Sequence, residues 1–202
     1  MTARSVCRRC VALVAAAALA GCVVLPTDVY VPDTTEGVPV YERCSLTPDL
    51  PAGVELQRSS LHAIVSLAHS QGMDQVKVRF DVPEGMTLLL SDHAIAVDAR
   101  DGRTPRWATI PHINPVAPAR YPETPVIQDF VLPVDAPMPG GRINAGNFSS
   151  DRHYWISAPV MGGLERNIWI SLPELLIGGT RARFPEIRFT RRLAIGRGSF
   201  NC

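Results

Sequence analysis

Lysine is nearly absent: Lys77 is the only one in 202 residues, and arginine supplies the rest of the 20 basic residues. That bias reads as genome composition rather than chemistry. No basic stripe runs along the chain and the formal net charge is +1, so the electrostatic case for nucleic acid is missing. No amphipathic 3.6-residue period lasts three turns, which argues against a helical bundle. No internal repeat is present, which excludes a solenoid. The apolar run Val11–Ala20 would be about 15 Å long as a helix at ~1.5 Å per residue, well short of a ~30 Å hydrocarbon core.

Motifs of chemistry are also missing. There is no G-x-S-x-G, P-loop, G-x-G-x-x-G before a helix, EF-hand loop or H-E-x-x-H. His62, His69, His93, His112 and His153 are scattered without zinc-site spacing, so neither a metal nor a cofactor is expected. Ser91-Asp92-His93 holds the residue types of a triad side by side. Neighbours on a strand point to opposite faces, so a turn explains them better than a relay.

The N-terminus is informative. Arg4, Arg8 and Arg9 precede the Val11–Ala20 run, which is followed by Gly21 and Cys22. Basic flank, short apolar segment and small residues describe a cleaved signal rather than a membrane span. Leu19-Ala20-Gly21-Cys22 resembles the lipobox of bacterial lipoproteins. That resemblance covers about the first tenth of the chain. It implies acylation of the Cys22 sulfur, with Cys22 as the first mature residue. Two or three acyl chains, at ~0.8 kcal/mol per buried CH₂, hold a protein firmly on a bilayer. Val23 and Val24 follow, with no Asp, which by the same resemblance implies the outer membrane with the body facing the periplasm. Without the three signal arginines, 17 basic residues face 19 acidic ones, so the mature chain is slightly acidic.

Cys7 and Cys10 form a C-x-x-C that leaves with the signal. With Cys22 acylated, Cys44 and Cys202 remain, in a compartment where disulfides persist. They are expected to pair, tying the start of the folded domain to its last residue. The chain-entropy figure for so long a loop is roughly 5 kcal/mol at most.

Three segments are expected: a signal peptide over 1–21, a lipid-anchored tether over 22–43, and one β-domain over 44–202. Pro26, Pro32 and Pro39 suggest the tether. The alternative is an edge strand at Val29–Val31 or Val38–Val40, where proline is tolerated. Val76–Val82 alternates apolar and charged residues as a half-buried antiparallel strand does. Pro83-Glu84-Gly85 suggests a type I turn with Pro at i+1, and Asp101-Gly102 a hairpin. Leu61–His69 fits a strand or a short helix. Residues 111–125 and 135–141 read as loops, and 173–179 as irregular chain or one helical turn. Strand-like segments recur every eight to twelve residues, roughly the spacing of sandwiches and barrels. The expected fold is an immunoglobulin-like antiparallel β-sandwich, with a small β-barrel as the alternative.

Arg188, Arg191 and Arg192 stand in a locally basic C-terminal end, with Arg181, Arg183 and Arg197. They read as the solvated face of the last hairpin or as a patch for an anionic partner. Tyr154, Trp155 and Trp169 read as core, with Trp107 and Trp155 as alternative stacking groups for a ligand. The function that follows is a non-enzymatic envelope lipoprotein binding a protein or another envelope component. The alternatives are a hydrolase or metal-dependent enzyme with a site assembled from loops such as 111–125 and 135–147, and a small-ligand carrier.

Overall fold

In the computed structural model, residues 24–42, 45, 47–70, 73–116, 131–145 and 148–197 are described. Among them the chain is all-β, with antiparallel pairing throughout, an antiparallel β-sandwich as the residue pattern predicts.

The first half contributes β1 (Val24–Pro32), β2 (Val38–Val40), β3 (Gly53–Arg58), β4 (Leu61–Ser70), β5 (Met73–Val82), β6 (Thr87–Leu90), β7 (Ala94–Asp98) and β8 (Arg106–Thr109). The second half contributes β9 (Asn114–Val116), β10 (Met138–Pro139), β11 (Arg142–Ala145), β12 (Phe148–Val160), β13 (Asn167–Ser171), β14 (Leu175–Ile177), β15 (Thr180–Ala182) and β16 (Ile187–Arg197). One sheet has the order β1-β16-β13-β7-β8. A larger one runs β11-β12-β5-β4-β3-β2, with β9 also on β12. A third, short sheet is β10-β6-β14-β15.

Alternation sets the core. Val76, Val78, Phe80 and Val82 of β5 are buried, and Lys77, Arg79 and Asp81 occupy the other face. Leu61, Ala63, Val65 and Leu67 do the same on β4, which settles Leu61–His69 as a strand. Tyr154, Ile156 and Ala158 of β12 extend that inner face, and Ile168, Ile170, Ile187 and Phe189 oppose it from β13 and β16. No polar or charged residue is buried among the described residues. Each fully buried Leu, Ile or Phe contributes about 1.5–3 kcal/mol relative to exposure.

The structure chooses between the two readings of the entering chain and corrects two other readings of the sequence. Residues 24–32 take the edge-strand reading: they form β1, paired along its whole length with β16, from Val24↔Arg197 to Pro32↔Phe189. The prolines fit because β1 is an edge strand. Asp33 N–H donates to Arg188 C=O at 2.7 Å. Odd-numbered residues thus point their N–H toward β16, and Pro26 and Pro32, which have none, face off the sheet. Val38–Val40 is the edge strand β2. The turn at Pro83 has Pro at position i: Met86 N–H donates to Pro83 C=O, and Gly85, with φ +80°, sits at i+2. Positive φ there is the type II arrangement, not type I. Finally, 135–141 and 173–179, read as loops or irregular chain, each contribute a short strand, β10 and β14, which flank β6.

Candidate functional site

β1 and β16 outrun their sheet. The ladder between β13 and β16 ends at Asn167↔Thr190, and Arg191 N–H makes one more bond, to Arg166 C=O at 2.7 Å. Beyond Arg191, β16 pairs only with β1 among the described residues. The two strands continue as a ribbon whose tip is Val24 and Arg197. Beneath its base an open groove of ≈ 650 Å³ separates it from the ends of β4 and β5 and from the chain between β2 and β3.

Alternation also decides what faces the groove. On β16, Ile187 and Phe189 point into the sandwich, so Arg191 follows them toward the groove. Its guanidinium pairs with the Asp28 carboxylate of β1. That partner raises the Arg191 pKa above its ordinary value. Across the groove, His69 Nδ1 lies 2.9 Å from Asp74 Oδ1, and Asp74 Oδ2 accepts from Leu164 N–H at 3.3 Å. The Asp74 side chain is mostly buried and that of His69 is exposed. Tyr30 closes the floor: its buried hydroxyl donates to Leu164 C=O at 3.2 Å. Burial, and next the Asp74 charge, push the Tyr30 pKa up to about 12.

The His69–Asp74 pair orients an imidazole with Nδ1 donating, which leaves Nε2 free to accept a proton. A relay needs a nucleophile on the same side. Ser66 of β4 and Ser45 also line the groove, but no hydrogen bond joins either to His69 among the described residues. The groove presents two internal charge pairs, with Glu42 and Lys77 also on its lining, and a half-apolar surface suited to holding a chain segment or a polar headgroup.

The outer face of the larger sheet carries a second titratable group. His62, Asp81 and His153 lie in one cross-strand row. Asp81 accepts from His153 Nδ1 at 2.7 Å and from Arg79 at 2.8 Å, and His62 Nδ1 bonds Glu55 at 2.5 Å. Burial would raise the Asp81 pKa, but the hydrogen bonds from His153 and Arg79 and their charges outweigh it, and the pKa is lowered. Arg79 also lies over the Trp155 ring, 6.0 Å from its centroid. Among the described residues no three His, Cys, Asp or Glu side chains are placed to hold a metal ion.

The arginines singled out in the sequence do not form one patch. Arg188 and Arg192 lie on the outer face of β16, and Arg191 lies on the groove side. Arg188 stacks on Trp169 at 5.4 Å and donates to Asn167 Oδ1 at 3.1 Å; Arg100 covers Trp169 at 4.5 Å. Arg181 and Arg183 both pair with Glu174. Trp107 is exposed on β8, and Trp155 lies on β12 of the larger sheet beside Arg79. Ser91, Asp92 and His93 are exposed between β6 and β7: Ser91 Oγ bonds Glu174 C=O and Asp92 caps the His93 N–H. Cys22, Cys44, Cys202 and residues 117–130 lie outside the described residues.

Of the groove residues, Arg191 is among the arginines singled out in the sequence, whereas Asp28, Tyr30 and Asp74 were missed, because they meet it only when the first and last strands pair. The signal that pointed there was the Val29–Val31 alternation. The chain matches no family model, no curated protein and no solved structure.

Proposed function

We propose that the protein is an outer-membrane lipoprotein, anchored through acylated Cys22 and facing the periplasm, whose β-sandwich binds an envelope protein or another envelope component without turning it over. The observation that carries the binding reading is the open groove at the end where the chain enters. Its described ionisable pairs, Asp28–Arg191 and His69–Asp74, are already matched within the protein. Pre-paired charges around a half-apolar floor favour orienting a partner over bond breaking. The lipobox supports the anchor, and a Cys44–Cys202 disulfide belongs to the same proposal.

Labelled palmitate should enter the protein, and Cys22→Ser should abolish both labelling and membrane fractionation. A photo-crosslinking residue in place of Thr47, which lines the groove, should give one discrete adduct in intact cells. Unchanged fractionation of the serine variant refutes the anchor, and absence of any adduct refutes the groove as the binding site. The second reading, a hydrolase, draws on the His69–Asp74 pair. It requires an ester- or amide-cleaving activity lost in His69→Ala.

A further inference from the structure

We infer that the tip of the β1–β16 ribbon lies in the interfacial layer of the phospholipid bilayer that holds the acyl chains, and that it fixes the height and tilt of the body. This rests on the lipoprotein reading and adds a second, protein-borne contact to the anchor.

The first observation is chain length. β1 begins at Val24, only two residues after Cys22. Two extended residues reach ~7 Å. A sulfur-linked acyl chain in the bilayer therefore leaves the ribbon tip no room to stand away from the headgroups. A flexible tether would have given the body about 70 Å of freedom, but residues 24–32 are consumed by pairing with β16.

The second observation is where apolar surface is exposed. Leu193 and Ile195 on the ribbon are 75% and 71% exposed. Pro26, opposite Ile195, is exposed on the same ribbon. Met73 opens β5 at the turn after β4, and Met161 follows Val160, whose ladder partner is Asp74. Both are exposed, and both are at the ribbon end, because Asp74 binds Leu164 N–H and Leu164 receives Tyr30. An edge of apolar side chains beside a lipid attachment point is the arrangement interfacial contact selects. Exposed Arg192 supplies a cation at the headgroup level.

Benzoylphenylalanine placed singly at Leu193, Ile195 or Val38 in the full-length, acylated protein tests this in intact cells. Val38 is also exposed but lies on β2, on the flank of the larger sheet. Irradiation should give phospholipid adducts at 193 and 195, identified by mass, and none at 38. Palmitate incorporation is measured on the same samples. Labelled protein with no lipid adduct at 193 or 195, or with adducts at all three positions, overturns the ribbon contact and leaves the anchor standing. A homodimer or protein adduct at 193 and 195 assigns the ribbon to that partner instead and also overturns it. Failure of palmitate to enter overturns the anchor, and the ribbon contact with it.

Discussion

Tyr30 and Leu164, 134 residues apart in the chain, meet through a hydroxyl-to-carbonyl hydrogen bond of 3.2 Å. That bond fastens the first strand to the loop after β12 and floors the groove. Tyr30→Phe removes the donor and leaves a buried carbonyl short of a partner, at about 1 kcal/mol. A thermal melt should show a loss of roughly 2–4 °C for a domain of this size.

The same hydroxyl makes stability sensitive to alkali. Tyr30 releases its proton at about 12 when folded, against 10.0 in its ordinary state. Between those values the unfolded chain has given up the proton and the folded chain has kept it. Stability therefore falls as pH rises through that window, by about 2 kcal/mol in all, below the full linkage because the site adjoins an open groove. Burial also raises the Tyr154 pKa, so tyrosinate absorbance should show more than one late-titrating group, of which one disappears in Tyr30→Phe.

Asp81 gives the opposite response. Its folded pKa lies below the ordinary 3.8, so its contribution is present above that value and fades as pH falls beneath it. Replacing His153 with Gln removes the imidazole that bonds Asp81 at 2.7 Å. The carboxyl titration followed by NMR should then move upward, and acid unfolding should begin at a higher pH.

Gly140 allows a close backbone approach. A Cβ there would lie 1.8 Å from the Pro83 carbonyl oxygen, and Gly140 N–H is bonded to Met86 C=O at 2.7 Å. Gly140→Ala must displace backbone, at about 3 kcal/mol, or roughly 6–12 °C in the melt. Gly163→Ala is the control: no atom lies within 4 Å of its Cβ position, and its melt should be nearly unchanged.

Ser59 offers a gain. It is the first residue of the two-residue loop between Arg58 and Leu61, with φ +55°. Glycine favours that position in a hairpin of this kind. Ser59→Gly should raise stability by about 0.5–1 kcal/mol, since release of the left-handed strain exceeds the added chain entropy. Denaturant midpoints at constant slope would register it.

What the sequence disclosed follows the range of the forces involved. Val76–Val82 was readable because its alternation is local and both its faces are used. Leu61–His69 was ambiguous on its own, and pairing with β3 and β5 decided it. β1 was open between a tether and an edge strand because two prolines within nine residues resemble a linker. Only a partner strand on one side makes their missing N–H groups harmless. The groove was least legible, since Asp28, Asp74, Leu164 and Arg191 come from four distant segments.

The pairing of first strand with last also sets a schedule. Under the lipoprotein proposal the chain crosses a membrane N-terminus first and delivers Val24–Pro32 long before Ile187–Arg197, so β1 must wait for its neighbour until export is nearly finished. On that proposal a stretch of unclosed edge sits beside the bilayer throughout that interval, where a periplasmic chaperone would find it most easily.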